Sequence, residues 1–450
     1  MAEVTEVDVV VVGMGPGGED AAGRLAEAGL DVIGVEAGLV GGECPYYGCI
    51  PSKMMIRAGD ALAEGRRVNG LAGKAEIRAS WDPVAARLRK ATADWDDKAA
   101  ADRFTGKGGR LVRGFGRVSG PREVTVGERV LRARRGLVLN PGTEPVVPPI
   151  EGLEDTPFWT NREAVKTTRA PESLLVLGGG AIGVELAQAF ARFGSRVTVL
   201  EGGERLVSRE EPEAAELITK VFEQEGIAVR TGQKVERVRY ADGRFTVEAG
   251  GNAFEAERFL VATGRKTDLA RLGVGKAGLD ESARAIPVDG RMRAADGVWA
   301  IGDVTGKGAF THVSMYQAGI AVRDILGEDG PPADYRALPR VTFTDPEVGA
   351  VGLTEAQARD KGLDVRTGYT PLSSSSRGWI HEAEGFIKLV AAGDELVGAT
   401  TAGPAGGEVM SALAVAVHGR VPVSSLTHMI YAYPTFHRAI ETALADLGKG

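Results

Sequence analysis

The chain has 450 residues, a length typical of about three domains at roughly 150 residues each. Its apolar fraction of 43% is high enough for a sizeable core and argues against a mainly disordered chain. The formal net charge of −7 argues against nucleic acid or an anionic membrane as the main partner. Because no apolar run approaches the ~20 residues of a membrane-spanning helix and no signal peptide is visible, we predict a cytoplasmic protein without a membrane partner.

The chain opens with the pattern of a nucleotide-binding fold. A valine-rich run at 7–12 predicts a strand buried on both faces, and a glycine-rich turn follows at 13–18. A helical pattern then runs to Gly29, and a second strand ends at Glu36. Glycines in such a turn let the backbone approach a pyrophosphate, and the acid accepts hydrogen bonds from an adenosine ribose. The pattern predicts a dinucleotide site, with a tight turn without ligand as the alternative, and its residues are Gly13, Gly15, Gly18 and Glu36.

The two cysteines, Cys44 and Cys49, lie in the glycine- and proline-rich run 41–53. A pair this close indicates a local redox couple rather than a disulfide scaffold, and zinc is not expected because no histidine lies nearby. Pro51 predicts a helix start that puts Cys49 at a helix N-terminus, where the dipole favours a thiolate. Lys53, one turn on, adds positive charge. The alternative is two small buried thiols near a turn.

The nucleotide pattern returns in the middle of the chain. A strand over 174–177 meets a second glycine turn at 178–183, a helix ends at Gly194, and a strand leads to Glu201. The first glycine stands 16 positions before the capping glycine and 23 before the acid in both copies. This long-period repeat predicts two nucleotide folds rather than a solenoid. The predicted residues of the second site are Gly178, Gly180, Gly183 and Glu201.

The run Gly-Gly-x-Cys-x-x-x-x-Cys-Ile-Pro-Ser-Lys over 41–53 resembles the redox-active motif of the class I pyridine nucleotide–disulfide oxidoreductases, a family that includes dihydrolipoamide dehydrogenase, glutathione reductase and mercuric reductase. The resemblance implies an α/β fold with two Rossmann-like dinucleotide-binding domains and a C-terminal α+β dimerisation domain. It implies a homodimer with FAD in the first fold and the nicotinamide in the second. The implied boundaries are 1–150 and 271–337 for the two FAD-domain segments, 151–270 for the NAD(P) domain, and 338–450 for the dimer-interface domain.

The resemblance also implies residue roles. Cys44 and Cys49 would form a redox-active disulfide, with Cys49 facing the flavin and Cys44 meeting the acceptor. Lys53 and Glu185 resemble the ion pair that the family places beside the ring. Asp303 resembles the family's second flavin signature, with an ordinary strand-end turn as the alternative. The other implied cofactor residues are Gly42, Gly142, Gly302 and again Lys53 for FAD, and Gly264 for NAD.

The choice of nicotinamide depends on Glu201, because a carboxylate there binds a ribose 2′-hydroxyl and repels a 2′-phosphate. We therefore expect NADH, with NADPH as the alternative because Arg205 and Arg209 follow closely; their other reading is a solvated loop. His312 stands where the family's chain passes the flavin, and its role is left open.

The sequence departs from the family near its C-terminus. The family's disulfide reductases place a His before a Pro-Thr pair and a Glu five residues after that His, and this chain has Tyr433 and Arg438 there. An imidazole titrates near ~6.5 and a phenol near ~10, so a tyrosine is a poor base but can donate a proton. We therefore expect weak dihydrolipoamide oxidation. The reduction of an acceptor should be slowed less, because there the tyrosine could protonate a leaving thiolate. Alternatively Tyr433 only packs against the partner subunit, or His437 substitutes as base.

The sequence leaves three candidate functions. The first is an FAD-dependent NAD(P)H oxidoreductase that passes electrons through the dithiol to a small disulfide or related small-molecule acceptor. The second is a diaphorase-type flavin reductase that reduces a quinone or dye without the disulfide, and the third is a non-catalytic flavoprotein sensor. Mercury is not expected as the natural substrate. The family's mercuric reductases use further cysteines near the C-terminus, and this sequence has no cysteine besides Cys44 and Cys49.

Local patterns elsewhere predict structure without chemistry. The predictions are amphipathic helices over 58–110, a small antiparallel layer over 111–136, a strand from 136 returning to the first sheet, a buried strand at 298–301, strands at 341–349 and 385–390, a helix at 412–417, and a solvated serine loop at 373–376.

Overall fold

The computed structural model describes residues 3–448. The chain forms two compact units. The first contains the described part of Met1–Pro51 together with Ala86–Val146 and Gly264–Asp334. The second contains Ser52–Ala85, Val147–Thr263 and the described part of Tyr335–Gly450. This division is coarser than the four predicted segments, whose boundaries stay a prediction.

A mixed, largely parallel sheet forms the centre of the first unit. Residues of its first strand alternate between two cores: Val9 and Val11 join the cluster on one face, and Val10 and Val12 join the cluster on the other. This is the double burial that the valine run predicts. Each such side chain contributes roughly 1.5–3 kcal/mol on full burial. In sheet order the path is Arg293–Ala295, Val298–Ala300, Arg129–Leu139, Glu3–Val12, Val32–Glu36 and Arg110–Arg113, with Arg117–Gly120 and Glu123–Val126 attached as an antiparallel layer.

The predicted antiparallel layer over 111–136 is confirmed for its later strands and wrong for the first one. Arg110–Arg113 is a parallel edge strand beside Val32–Glu36, and it does not belong to the antiparallel layer. The predicted strand from 136 does return to the first sheet, and it continues the antiparallel layer without interruption as Arg129–Leu139. A Cβ at Gly136 would lie 2.7 Å from the Trp299 ring, so this glycine serves side-chain packing and not a turn.

Helices and a short ribbon complete the first unit. The ribbon pairs Glu144–Pro145 with Arg265–Lys266. The helical segments are Pro16–Glu27, Glu43–Tyr46, Ala93–Trp95, Lys98–Gly106, Leu269–Leu272, Val274–Ala277, Gly302–Thr305 and Thr311–Leu326. Two further helices, Cys49–Leu71 and Asp82–Ala91, contain a boundary between the units.

The nucleotide-like part of the second unit has a four-stranded parallel sheet beside a three-stranded antiparallel sheet. The parallel strands, in sheet order, are Ala228–Arg230, Arg196–Leu200, Ser173–Leu177 and Arg258–Val261. The antiparallel strands are Val235–Ala241, Arg244–Ala249 and Asn252–Ala256. The helices are Asn161–Lys166, Ala181–Arg192 and Pro212–Gln224. The predicted repeat of strand, turn, helix and strand is confirmed.

The C-terminal part of the second unit is an antiparallel sheet of five strands packed against helices. The strands, in sheet order, are Pro339–Thr342, Glu347–Gly352, Glu395–Gly403, Phe386–Ala392 and Val365–Pro371. The helices are Glu355–Asp360, Leu372–Ser374, Ser376–Ile380, Gly406–Gly419, Val423–Thr427 and Ala439–Leu447. The predicted serine loop is instead helical, because Ser375 caps Ser376–Ile380 by accepting a hydrogen bond from the Gly378 N–H. Over residues 3–448, no helix is long and apolar enough to cross a membrane.

Candidate active site

The first glycine turn precedes the helix Pro16–Glu27. Gly13 has a φ of +90°, and a Cβ there would lie 2.1 Å from the Asn140 carbonyl oxygen. A Cβ at Gly18 would lie 2.0 Å from the Gly13 carbonyl oxygen, so larger side chains are excluded at both positions. At Gly15 the nearest atom to such a Cβ is 3.5 Å away. The turn is therefore closely packed at Gly13 and Gly18. At Gly15, beside the helix N-terminus, it leaves room in which a pyrophosphate fits.

Glu36 lies beside this turn at the end of its strand. Its carboxylate accepts hydrogen bonds from the backbone N–H groups of Met14 at 2.7 Å and Gly38 at 2.6 Å. Burial raises the pKa of Glu36, although these two hydrogen bonds and the charge of Arg113 counteract burial. The carboxylate thus stands where an adenosine ribose would donate its hydroxyl groups.

The second glycine turn repeats the geometry of the first. Gly178 has a φ of +111°, and its Cβ would lie 2.4 Å from the Ala262 carbonyl oxygen. A Cβ at Gly183 would lie 2.0 Å from the Gly178 carbonyl oxygen, while one at Gly180 would meet no atom within 4 Å. In both turns the first and last glycines are required because a side chain there would clash with the backbone, and the middle glycine leaves room for a ligand. This arrangement fits a dinucleotide in both places.

Glu201 repeats the role of Glu36 in holding its turn. Its carboxylate accepts from the N–H groups of Gly179 at 2.5 Å and Gly203 at 2.6 Å. Arg205 directs both terminal nitrogens to backbone carbonyls of its own loop, each at 2.9 Å, whereas Arg209 is exposed. The guanidinium of Arg205 is therefore fixed by its loop.

The cysteine segment lies against the first glycine turn. Cys44 is half-buried in a short helix, and Cys49 is exposed at the first residue of the helix Cys49–Leu71, as predicted. Gly42 has a φ of +67°, and its Cβ would lie 2.8 Å from the Gly15 Cα. Only glycine allows this approach, which holds the redox motif beside the predicted pyrophosphate position.

Thr311 contacts the second cysteine of the motif. The Cys49 Sγ and the Thr311 Oγ1 are 3.4 Å apart, which is hydrogen-bonding distance for sulfur. Thr311 is the first residue of the helix Thr311–Leu326, so this thiol stands at the N-termini of two helices. Both the hydroxyl and the helix dipoles favour a thiolate at Cys49.

Asp303 belongs to a chain of polar contacts that leads back to the cysteine segment. Its carboxylate accepts from the Thr143 hydroxyl at 2.7 Å, and the Arg265 Nε donates to the same hydroxyl at 2.9 Å. Arg265 also pairs with Glu43, the residue before Cys44, at 3.5 Å. Burial raises the pKa of Asp303, while the Thr143 hydrogen bond and the Arg265 charge counteract burial.

The other predicted cofactor glycines all have positive φ angles, at Gly142 (+69°), Gly264 (+116°) and Gly302 (+78°). A Cβ at Gly142 or Gly264 would meet nothing within 4 Å. Gly302 donates its N–H to Gln317 at 2.6 Å. Gly264 was predicted on the NAD side, yet it belongs to the first unit and accepts a hydrogen bond from the Val146 N–H.

Lys53 forms an ion pair with Glu185 at 2.7 Å within the second unit. The Glu185 side chain is 5% exposed, and its other oxygen accepts from the Phe343 N–H at 2.9 Å. The Lys53 Nζ also lies 4.7 Å from the Phe343 ring centroid. The predicted pair is thus present, and a backbone donor that the sequence did not reveal holds its carboxylate in place.

Tyr433 is 69% exposed and donates its hydroxyl to the Ser376 Oγ at 3.1 Å. The Arg438 guanidinium lies 5.6 Å from the Tyr433 ring centroid and pairs with Glu441 at 3.0 Å. His437 packs its ring 5.0 Å from that of Tyr431, and burial lowers its pKa. The phenol and the guanidinium, which the sequence predicts in place of a His–Glu dyad, are therefore neighbours.

Sequence reasoning missed the residues that fix the site from a distance in the chain. Thr143 and Asp303 are separated by 160 positions, and Cys49 and Thr311 by 262. Local pattern carries no signal for such pairs. The structure groups Gly13, Gly15, Gly42 and Glu36 around one turn, groups Asp303 with Glu43, and assigns Lys53 to the second unit with Glu185.

Comparisons with known proteins agree over nearly the whole chain. The family model for pyridine nucleotide-disulphide oxidoreductases matches residues 7–318, and the model of the dimerisation domain matches 338–444. A dihydrolipoyl dehydrogenase from Thermus scotoductus is 36% identical, over 98% of this chain and 97% of the relative. A mercuric reductase from Acidithiobacillus ferrooxidans is 35% identical, over 97% and 82% respectively. The Cu(II) complex of the HOCl-induced flavoprotein disulfide reductase RclA from Escherichia coli aligns with a TM-score of 0.86 at 26% identity, over 98% of this chain and 99% of that one.

Proposed function

Because this chain belongs to the pyridine nucleotide-disulphide oxidoreductases, which are FAD-dependent enzymes that use NAD(P)H, we propose that it reduces a small disulfide with electrons from NADH. The balanced reaction converts NADH, one proton and one disulfide into NAD⁺ and two thiols. When bound, FAD supplies hydride acceptance from the nicotinamide and two-electron transfer to sulfur.

The observation that carries the proposal is the attachment of the redox motif to the first glycine turn. The Gly41 N–H donates to the Met14 carbonyl at 2.7 Å, and Gly42 packs on Gly15. This places the cysteine segment against the turn that fits a pyrophosphate. In our proposal Gly13, Gly15, Gly18 and Glu36 hold the adenosine half of FAD, and Gly42, Gly142, Gly302 and Asp303 line the remainder.

The two thiols have distinct roles in this reaction. Cys44 attacks the acceptor disulfide as a thiolate, forms a mixed disulfide and releases the first thiol. Cys49 then attacks the Cys44 sulfur, which restores the Cys44–Cys49 disulfide and releases the second thiol. The hydroxyl of Thr311 and two helix N-termini support a thiolate at Cys49.

Lys53 places a positive charge on the helix that Cys49 begins, and Glu185 orients it. In our proposal this ammonium stabilises negative charge that develops beside it during electron transfer. The second turn, with Gly178, Gly180 and Gly183, holds the nicotinamide dinucleotide. Glu201 favours NADH over NADPH, and the fixed guanidinium of Arg205 supports that preference.

Tyr433 acts in this proposal as a proton donor to the leaving thiolate. A phenol serves that purpose at neutral pH but is a poor base for activating a thiol. We therefore expect dihydrolipoamide oxidation to be weak. The dimerisation-domain match supports a homodimer, in which Tyr433 would act beside the Cys44 of the other copy. The cysteine count argues against mercury as natural substrate.

Anaerobic titration with NADH, followed by an acceptor screen, tests the proposal. The screen contains lipoamide, other small disulfides, quinones and Cu(II), which is included because the similar Escherichia coli enzyme forms a Cu(II) complex. We expect a thiolate–flavin charge-transfer band near half reduction and turnover of at least one disulfide. A colourless protein that does not take up FAD would refute the proposal.

The replacement of the acid–base dyad favours one other candidate, a quinone reductase that bypasses the thiols. Cys44→Ser separates the two functions. Loss of turnover in the variant supports disulfide reduction. The quinone reductase is supported if the variant keeps full turnover on a quinone and the wild type reduces no disulfide.

A further inference from the structure

Three basic side chains and two aromatic rings come together where the family has its acid–base dyad. The Phe436 ring lies 5.2 Å from the His381 ring and 5.7 Å from the Arg377 guanidinium. The Arg438 guanidinium lies over the Tyr433 ring. We name these five residues the cationic cluster.

The cluster is assembled by contacts between two segments of the second unit. Tyr433 donates to the Ser376 hydroxyl, and Ser376 directly precedes Arg377 on the helix Ser376–Ile380. The Phe436 ring bridges Arg377 and His381 from the other segment. The Arg438 guanidinium therefore lies over the phenol ring, and Arg377 directly follows the residue that accepts the phenol's hydrogen bond.

The positive charge of this cluster is accessible. The Arg438 side chain is 41% exposed, and Glu441, its carboxylate partner, is 43% exposed. Exposed ion pairs of this kind are weak and exchange readily with other partners. The net charge of the chain is −7, so a local group of basic side chains offers an anion a site that the overall charge does not.

We propose that the acceptor is an anionic disulfide, whose carboxylate or phosphate group is bound by Arg438 and Arg377 while Tyr433 faces its sulfur. This inference rests on the proposed function, which assigns Tyr433 to the acceptor site. A guanidinium binds a carboxylate or phosphate in a bidentate manner, and the flanking rings offer apolar contact to the rest of the molecule. The residue that corresponds to the family's glutamate is here a cation, which adds a positive charge next to Tyr433.

Lipoate and lipoamide provide a matched pair of probes, because they share one disulfide ring and differ in a carboxylate. We expect the FAD-loaded enzyme, at saturating NADH, to show a higher kcat/KM for lipoate. Arg438→Gln should lower the lipoate-to-lipoamide ratio about 5-fold, mainly through KM for lipoate, and Arg438→Glu should lower it further. Arg377→Gln should act in the same direction, and added NaCl should reduce the wild-type ratio.

Arg420→Gln is the control, since Arg420 is exposed in the same part of the chain but outside the cluster. It should leave the ratio unchanged. A wild-type preference for lipoamide, or equal ratios in wild type and Arg438→Glu, would overturn the inference while leaving disulfide reduction established. Failure to reduce either probe, with quinone turnover unaffected by Cys44→Ser, would instead refute the proposed function as well.

Discussion

The buried charge cluster around Arg192 gives a pH-dependent stability that can be worked out from the structure. Arg192 is 3% exposed and pairs with Asp60 at 2.6 Å and Asp345 at 2.8 Å. Burial raises the pKa of Asp60 from 3.8 to about 6, since the Arg192 charge only partly offsets desolvation and Asp345 adds repulsion. The charges of Arg57 and Arg67 lower this pKa without restoring its usual value.

The sign and size of the effect follow from linkage. Because the folded-state pKa of Asp60 lies above its unfolded value, the folded state binds the proton more tightly, and stability is lost as pH rises from about 4 to 6. Full linkage between 3.8 and about 6 corresponds to about 3 kcal/mol. The Asp60 side chain is 37% exposed, so solvent screening reduces this to about 1–2 kcal/mol.

Asp60→Asn should remove this penalty. Relative to wild type, the unfolding free energy of the variant should improve by about 1 kcal/mol between pH 4.5 and pH 7.5, because the amide does not ionise and part of the full effect is already present at pH 4.5. Thermal unfolding of the FAD-loaded enzyme at fixed protein concentration measures the difference. Asp102→Asn, at an exposed position of the helix Lys98–Gly106, is the matched control. A difference that is the same at both pH values, or that changes in the opposite direction, would show that the ionised carboxylate is not disfavoured at Asp60.

Three further predictions concern the site. In a variant that lacks Cys44, Thr311→Val should slow the alkylation of Cys49 at pH 7 about 5-fold, because the lost hydrogen bond is worth roughly 1 kcal/mol. An unchanged alkylation rate would contradict a contact between Thr311 and the thiolate. Lys53→Met should slow flavin reduction by NADH about 10-fold or more in stopped-flow measurements, and Glu185→Gln should have a smaller effect, whereas wild-type rates in both would exclude a role for the pair. Glu201→Gln should lower the kcat/KM preference for NADH over NADPH about 10-fold, and an unaltered preference would assign the choice elsewhere.

Glycine positions show how far local sequence predicts this fold. At Gly13 and Gly178 the steric requirement belongs to a turn between a strand and a helix, so the pattern and the structure agree. Gly136 lies within a strand and packs on Trp299, 163 positions away, so the strand begins earlier than the local pattern predicts. The same limit explains the polar contacts of the site. Asp303 could be identified from its strand end, but its partner Thr143 could not, since only tertiary packing brings them together.

In the proposed function Tyr433 and Arg438 replace the family's His–Glu dyad, and microscopic reversibility limits what this replacement can do. One catalyst accelerates both directions of a reaction through the same transition state, so a weak base for dihydrolipoamide oxidation also implies slow lipoamide reduction under the same conditions. Tyr433 therefore does not by itself make the enzyme a one-way reductase. For the phenol to be useful, the acceptor must differ from lipoamide. The group next to Tyr433 that could select such an acceptor is the positively charged Arg438. A less basic leaving thiolate needs less proton donation, and an anionic anchor adds binding energy that a neutral amide lacks, so the phenol and the guanidinium together suit an acceptor other than lipoamide.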